Sequence, residues 1–154
     1  MTRPTLREVA ELSLFASRSL KAMVPGDAEE EKLARFEALA SAPWSRERIR
    51  EQILPAADSV QLSLTLRKLR RDIMLTLIGR NSTGACGFHE VVDTMTVFAE
   101  EAVQAVVRVH GRELAERLGV PMSAEGIPQD LLVVGMGKLG GRELNVSSDI
   151  DLIF

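Results

Sequence analysis

The sequence predicts an α+β fold: a helical region over residues 1–119, a linker over 120–130, and a strand–glycine-rich turn–strand unit over 131–154. Three observations carry that prediction. Apolar residues recur at spacings of three and four through the first region, as in helices that bury one face. Pro121, Gly126 and Pro128 then break the pattern. After them Leu131-Leu132-Val133-Val134 is an apolar run of strand length, followed by glycines at 135, 137, 140 and 141.

Thr5-Leu6-Arg7-Glu8 fits a capping box, with Thr5 as N-cap and Glu8 reaching back to it. Leu6, Val9, Ala10, Ala16, Leu20 and Met23 follow at helical spacing, so one helix is expected from there to Pro25-Gly26. Asp27 is the expected cap of a second helix, with Leu33, Phe36 and Leu39 on one face. Pro43 and Ser45 mark a restart, and Ile49 and Ile53 give a short third helix before Pro55. Ser59 to Ile78 carries Leu62, Leu66, Leu69, Ile73 and Leu77 at helical spacing. Phe88 to Leu118 carries Val91, Met95, Phe98, Ala102, Val106, Val109 and Leu114, a stripe read as core. Gly79 to Gly87 is the expected loop, and the two long helices pack most simply as an antiparallel pair.

The chain has 154 residues, a formal net charge of −3, 45% hydrophobic and 27% charged residues. This is the profile of one soluble globular domain, or of a small one plus part of another. One cysteine, Cys86, excludes an internal disulfide and points to a reducing compartment, the cytoplasm. No apolar run approaches the ~18 residues of a membrane span. Ser13, Ser17 and Arg18 interrupt any signal-peptide core. The slight acidity gives no pull toward nucleic acid. There is no tyrosine, so chemistry on a tyrosine acceptor acts on another protein.

Residues 135–140 read Gly-Met-Gly-Lys-Leu-Gly, a literal dinucleotide-binding pattern after a strand. A parallel crossover takes about a dozen residues or more, and Gly141 to Ser148 is too short for its helix, so this reading is rejected. The phosphate-loop pattern is absent too, since Lys138 lies between the glycines. Asp149-Ile150-Asp151 carries more. On a strand, residues i and i+2 share a face with Cα atoms roughly 6.5 Å apart. Both carboxylates then point together, while Ile150, Leu152 and Phe154 face a core. Two such aspartates repel unless a cation lies between them, and hard oxygen donors suit Mg²⁺ shared with substrate phosphates. That is the equipment of phosphoryl or nucleotidyl transfer, with the glycine-rich turn offering backbone N–H groups to the phosphates. An isolated Asp-x-Asp more often sits on a solvated edge strand; the coupling to a strand and glycine turn reverses that balance.

Gly135-Met-Gly-Lys-Leu-Gly-Gly-Arg-Glu-Leu-Asn-Val-Ser-Ser-Asp-Ile-Asp-Leu-Ile-Phe154 closely resembles the signature of the bacterial glutamine synthetase adenylyltransferase/adenylyl-removing enzymes. These belong to the DNA polymerase beta-like nucleotidyltransferases, whose common pattern is Gly-Ser, a short helical turn, then Ser-Asp-x-Asp-Leu. Lys138 stands where many of that superfamily have Ser; with Leu139-Gly140-Gly141 after it, this is the narrower family's own pattern. The resemblance implies a two-headed enzyme. One head removes AMP from a tyrosine of glutamine synthetase by phosphorolysis, giving ADP, and the other attaches AMP from ATP. Glu143-Leu-Asn-Val-Ser-Ser-Asp-Ile-Asp looks more like the N-terminal, adenylyl-removing head. The resemblance further implies Asp149 and Asp151 as catalytic metal ligands, and Gly137, Lys138, Gly140 and Gly141 as the lining of the nucleotide phosphates. Ser148 would orient the turn or touch a phosphate. Mg²⁺ and ATP or ADP are the implied cofactor and substrates; glutamine synthetase and a nitrogen-status signalling protein are the implied partners.

The superfamily carries a third carboxylate on a later strand, beyond Phe154. Closing on Leu152-Ile153-Phe154 within an expected strand suggests a truncated chain, expected to lack activity by itself. Two other readings stand beside this one: a stand-alone nucleotidyltransferase with another acceptor, and a non-catalytic helical interaction module. Elsewhere, Cys86-x-x-His89 and His110 fall short of a zinc site, which needs a fourth ligand. Arg67, Lys68, Arg70 and Arg71 read as a solvated helix face, with a phosphate or acidic-partner contact as the alternative. Trp44 stands apart from them, so no stacking surface for nucleic acid is expected.

Overall fold

The first expected helix is two: α1 (Leu6–Leu12) and α2 (Leu14–Met23), divided at Ser13. The computed structural model describes residues 2–26 and 28–154. Ser13 donates its N–H to Val9 O, ending α1, and its hydroxyl accepts the Ala16 N–H at 3.2 Å, starting α2. A serine hydroxyl offers the backbone such a local alternative to helix, and the apolar periodicity runs through the break without registering it. The capping box at Thr5 is present. Its hydroxyl accepts the Glu8 N–H at 3.3 Å, and the Glu8 carboxylate accepts the Thr5 N–H at 2.7 Å.

α3 (Glu29–Ala40) buries Phe36 and Leu39; its expected cap, Asp27, lies outside the described residues. α4 (Arg46–Ile53) starts at Ser45, whose hydroxyl accepts the Arg48 N–H, and it buries Ile49 and Ile53. α5 (Ser59–Thr83) runs past its expected end at Ile78, so the loop before α6 (Phe88–Leu118) shrinks to 84–87. The expectation placed Gly79 at the start of the loop. Gly79 instead lies at a tight helix contact: a Cβ there would sit 3.0 Å from Leu6 Cδ2 and Phe36 Cε2, and 3.1 Å from Ala40 Cβ. The stop is Gly84, in the left-handed conformation at φ 80°. Ordinarily Gly→Ala inside a helix gains about 1 kcal/mol. At Gly79 the added methyl meets a fully buried Phe36 that has no room to withdraw, and overpacking costs about 1–3 kcal/mol. Gly79→Ala is therefore expected to destabilise by about 1 kcal/mol, read as a lower urea midpoint at unchanged slope.

α5 and α6 are antiparallel, as expected. Ser59 N–H at the start of α5 donates to Glu113 near the end of α6, and Arg80 near the end of α5 pairs with Glu90 near the start of α6 at 2.6 Å. α5 joins two apolar clusters. One gathers Val9, Ala16, Leu20, Phe36 and Leu39 around Leu75. The other gathers α4, α5 and α6 around Ile49, Ile73, Leu77 and Phe98, and takes in Leu139 and Leu144 from the C-terminal segment. Among the described residues no helix is long and apolar enough to cross a membrane.

After α6 the chain doubles back. Gln129 N–H donates to Pro121 O at 2.9 Å and Ser123 N–H to Ile127 O at 2.8 Å. β1 (Val134–Gly135) and β2 (Leu152–Ile153) then form a two-stranded antiparallel ribbon, Val134 opposite Ile153 and Gly135 opposite Leu152. The chain is thus mostly helical with a small sheet. Two expectations fail here. The run Leu131–Val134 is not a buried strand: Leu131 and Leu132 are 57% and 77% exposed, and pairing begins only at Val134. Of Ile150, Leu152 and Phe154, only Leu152 packs on the helical core. The physical reason is common to both. A ribbon of two short strands has one covered side, and no other layer among the described residues covers the second.

Candidate functional site

Leu139 and Leu144 plug the C-terminal segment into the helical core, with Val146 and Leu152 packed beside them. After β1 comes α7 (Gly137–Gly140), a single helical turn that carries Leu139. Gly140 N–H donates to Met136 O, Gly141 N–H to Gly137 O at 2.9 Å, and Glu143 N–H to Lys138 O at 2.8 Å. Because β1 and β2 are antiparallel, this glycine turn has no place in a parallel dinucleotide crossover.

Two of the glycines are required by geometry. Gly137 has φ 52°, and a Cβ there would lie 3.2 Å from Asp151 Oδ2. A Cβ on Gly140 would lie 2.6 Å from the Gly135 carbonyl oxygen, a backbone clash that cannot relax cheaply. Asp151 therefore rests its carboxylate against the backbone of Gly137. Its carbonyl also accepts the Met136 N–H at 2.9 Å, tying the entrance of the turn to the aspartate segment. The first N–H groups of the turn, at Gly137, Lys138 and Leu139, have no carbonyl to reach within it. Lys138 and Gly141 are exposed on the same turn.

Ser148 shapes the approach to the aspartates. Its hydroxyl accepts the Asn145 N–H at 3.3 Å and its own N–H donates to Asn145 O at 3.2 Å. Asp149 and Asp151 are both exposed, and neither carboxylate has an ion-pair partner among the described residues. The geometry brings Asp151 and Gly137 together. Asp149 lies just before them, outside the ribbon, and not on a regular strand as expected. Among the described residues no group of three or more His, Cys, Asp or Glu side chains gathers at one point. The basic cluster is mostly solvated: Arg67, Lys68 and Arg70 are exposed, though Arg70 reaches the Val146 carbonyl at 3.4 Å.

Sequence reasoning missed a chain of charges behind the turn. Arg142 follows the glycines with φ 57°, a left-handed conformation that costs a non-glycine residue about 1–2 kcal/mol. Its Nη1 donates to Glu100 Oε1 on α6 at 2.8 Å. Glu100 also pairs with Arg46 of α4, and Arg46 donates to Glu101 at 2.7 Å. Arg50, one turn along α4, donates twice to Glu101, at 3.0 and 2.9 Å. The available signal was Arg46 and Arg50 at helical spacing together with adjacent glutamates on α6.

The Arg50 hydrogen bond, helped by Arg46, holds the Glu101 carboxyl below its ordinary value of 4.5, although burial pushes it up. A carboxyl lowered on folding stabilises fully above its unfolded pKa, and that stability is lost as pH falls through the lower folded value. Glu101→Gln is therefore expected to cost about 2 kcal/mol near neutral pH, discounted because both arginines are partly solvated. The deficit shrinks below about pH 4.5. Urea unfolding across a pH series measures both.

Beside the turn, an open groove of about 1320 Å³ runs between the C-terminal half of α6 and the ribbon, lined by Val103, Val107, Leu114, Val133 and Leu152 among others.

The sequence model of the Glutamate-ammonia ligase adenylyltransferase family matches residues 6–154. Three similar proteins bear the name bifunctional glutamine synthetase adenylyltransferase/adenylyl-removing enzyme. The one from Aromatoleum aromaticum (strain DSM 19018 / LMG 30748 / EbN1) is 50% identical over 97 residues, 63% of this chain and 10% of its own length. The one from Ralstonia nicotianae (strain ATCC BAA-1114 / GMI1000) is 46% identical over 127 residues, 78% of this chain and 13% of its own. The one from Bordetella pertussis (strain Tohama I / ATCC BAA-589 / NCTC 13251) is 48% identical over 122 residues, 79% and 12%. The matches thus span only 10% to 13% of the length of these curated relatives.

Proposed function

Because the chain belongs to the glutamate-ammonia ligase adenylyltransferase family, we propose that it carries part of a nucleotidyltransferase unit that controls glutamine synthetase by reversible adenylylation of a tyrosine on that partner. The relatives' names describe both adenylyl transfer and adenylyl removal. Of the two, the segment Glu143-Leu-Asn-Val-Ser-Ser-Asp-Ile-Asp favours the removing head. There, inorganic phosphate attacks the adenylyl phosphorus, the bond to the tyrosine oxygen breaks, and ADP and a free tyrosine hydroxyl leave. On this reading residues 120–130 link the helical region to the catalytic segment.

The observation that carries the reading is the closure of the glycine turn on Asp151. It sets backbone N–H groups that the turn itself leaves without a carbonyl beside a solvated carboxylate, donors for phosphate beside donors for a cation. Asp149 and Asp151 fit Mg²⁺ in their chemistry: two hard oxygen donors suit an ion that takes its other ligands from water and phosphates. When bound, Mg²⁺ neutralises phosphate charge during displacement. The N–H groups of Gly137, Lys138 and neighbouring residues hold the phosphates, with Gly140 and Gly141 allowing close approach. Lys138 adds a point charge, and Ser148 keeps the aspartates aimed at the turn.

The test is ADP release from adenylylated glutamine synthetase and phosphate by the protein carrying this segment, together with ADP titration of the chain with and without Mg²⁺. Release of ADP that disappears when Asp149 and Asp151 are replaced supports the reading. Release that persists in that variant overturns it.

A further inference from the structure

We infer that Arg142 is a positioning residue: through Glu100 it clamps the glycine turn to the α4–α6 helix pair and so sets where that turn sits. Its functional consequence rests on the nucleotidyltransferase reading above; the clamp itself does not. Four observations point to it. Arg142 adopts a left-handed backbone directly after two glycines, where a third glycine would meet no steric penalty. The side chain that carries this strain reaches across to α6 and donates to Glu100 at 2.8 Å. Glu100 is only partly exposed and is itself held by Arg46. Arg46 is in turn held by Glu101, a buried carboxylate gripped twice by Arg50. The far end of the chain of charges is thus fixed, and Arg142 is its outermost link.

The backbone on either side shows what the clamp holds. The Arg142 N–H donates to Leu139 O at 3.1 Å, and Glu143 N–H donates to Lys138 O at 2.8 Å. These bonds close α7 at its C-terminal end, while Asp151 rests against Gly137 at its start. A guanidinium fixed at this point resists rotation of the turn away from Asp151, a motion the hydrophobic anchors Leu139 and Leu144 do not oppose by direction, since apolar contact is non-directional.

Hydrogen exchange of the chain tests the clamp without any ligand. Arg142→Asn keeps a residue that tolerates the left-handed backbone and removes the charge; Glu100→Gln removes the other partner; Arg142→Lys keeps the charge. Expected are about threefold to fivefold faster exchange at Gly140 to Glu143 in the Asn and Gln variants, little change for Lys, and, in the Asn variant, unchanged protection in α5 and α6. At the turn, the Asn and Gln changes together are expected to add little to either alone, because the Arg142–Glu100 pair is lost in both and the Arg46–Glu100 pair lies away from the turn. Unchanged exchange in Arg142→Asn, or effects that simply add, would overturn the clamp. ADP titration with Mg²⁺ then separates the two readings. Weaker binding in Arg142→Asn, restored in Arg142→Lys, joins the clamp to the site. If the unmodified chain binds no ADP, the nucleotide reading of this chain fails while the exchange data still decide the clamp.

Discussion

Asparagine at both Asp149 and Asp151 is expected to weaken Mg²⁺-dependent ADP binding by about 100-fold or more while the melting temperature stays within about 2 °C. Loss of a residue that merely orients a metal ligand typically costs about 10–100-fold, so loss of two direct oxygen donors costs at least as much. The fold has little to lose. Both carboxylates are exposed and unpaired among the described residues, and removing two nearby like charges relieves repulsion. The link that Asp151 makes to Met136 uses its backbone carbonyl and survives the change. Calorimetric titration beside a thermal melt reads both quantities. Equal ADP affinity in the variant and the parent would remove these aspartates from the site.

Leu144→Ala is expected to produce the largest loss of stability at the site. Leu144 is 1% exposed and lies in the cluster shared by α4, α5 and α6. Truncating such a leucine costs about 2–5 kcal/mol. The polar ties of the same segment to the helices are the Arg142–Glu100 pair and the long Arg70 bond to Val146 O. A partly solvated ion pair is worth about 1 kcal/mol or less, so these ties do not compensate. The segment is therefore expected to undock while the helices persist. Far-UV circular dichroism should change little as ADP binding falls, and Leu144→Met, close in volume, should retain most of it. Retained binding with a lowered global midpoint would instead mean that the segment and the helices unfold as one unit.

Much of the helical region is legible in the sequence because its signals are local. Thr5 and Ser45 cap helices through hydroxyl contacts within three residues. The stripe from Val91 to Leu114 marks α6, which spans the expected Phe88–Leu118, but its reading as core fails toward the C-terminal end, where Val106 and Leu114 are 39% and 49% exposed because no helix among the described residues packs over them. The failures come where a residue's role depends on distant neighbours. Gly79 reads as the start of a loop until Leu6 and Phe36 are seen against it. Ser13 divides a helix whose apolar period continues across it. Leu131 and Leu132 read as buried only if a second layer covers them. At the site, the glycine turn and the Asp-x-Asp pair stand out as a pattern, but the closure of Gly137 on Asp151 comes from the β1–β2 pairing and the Met136 bond to Asp151, which spacing does not show. Arg142 escaped notice because its partner is remote in sequence and its left-handed backbone has no composition signal.

The span of these contacts along the chain also orders events in time. Arg80 and Glu90, which join α5 to α6, are separated by 10 residues, a loop of the size that closes in about 10–100 ns. The bonds that seat the C-terminal segment span 42 residues for Arg142 to Glu100 and 76 for Arg70 to Val146. Long-range closures lose more chain entropy before any contact rewards them, and so come later. In refolding, the helical hairpin should appear first, and the closure of Val146 on α5, across 76 residues, last. On warming, the same order is expected to run backwards, so that the candidate site opens while most of the helical signal is still present.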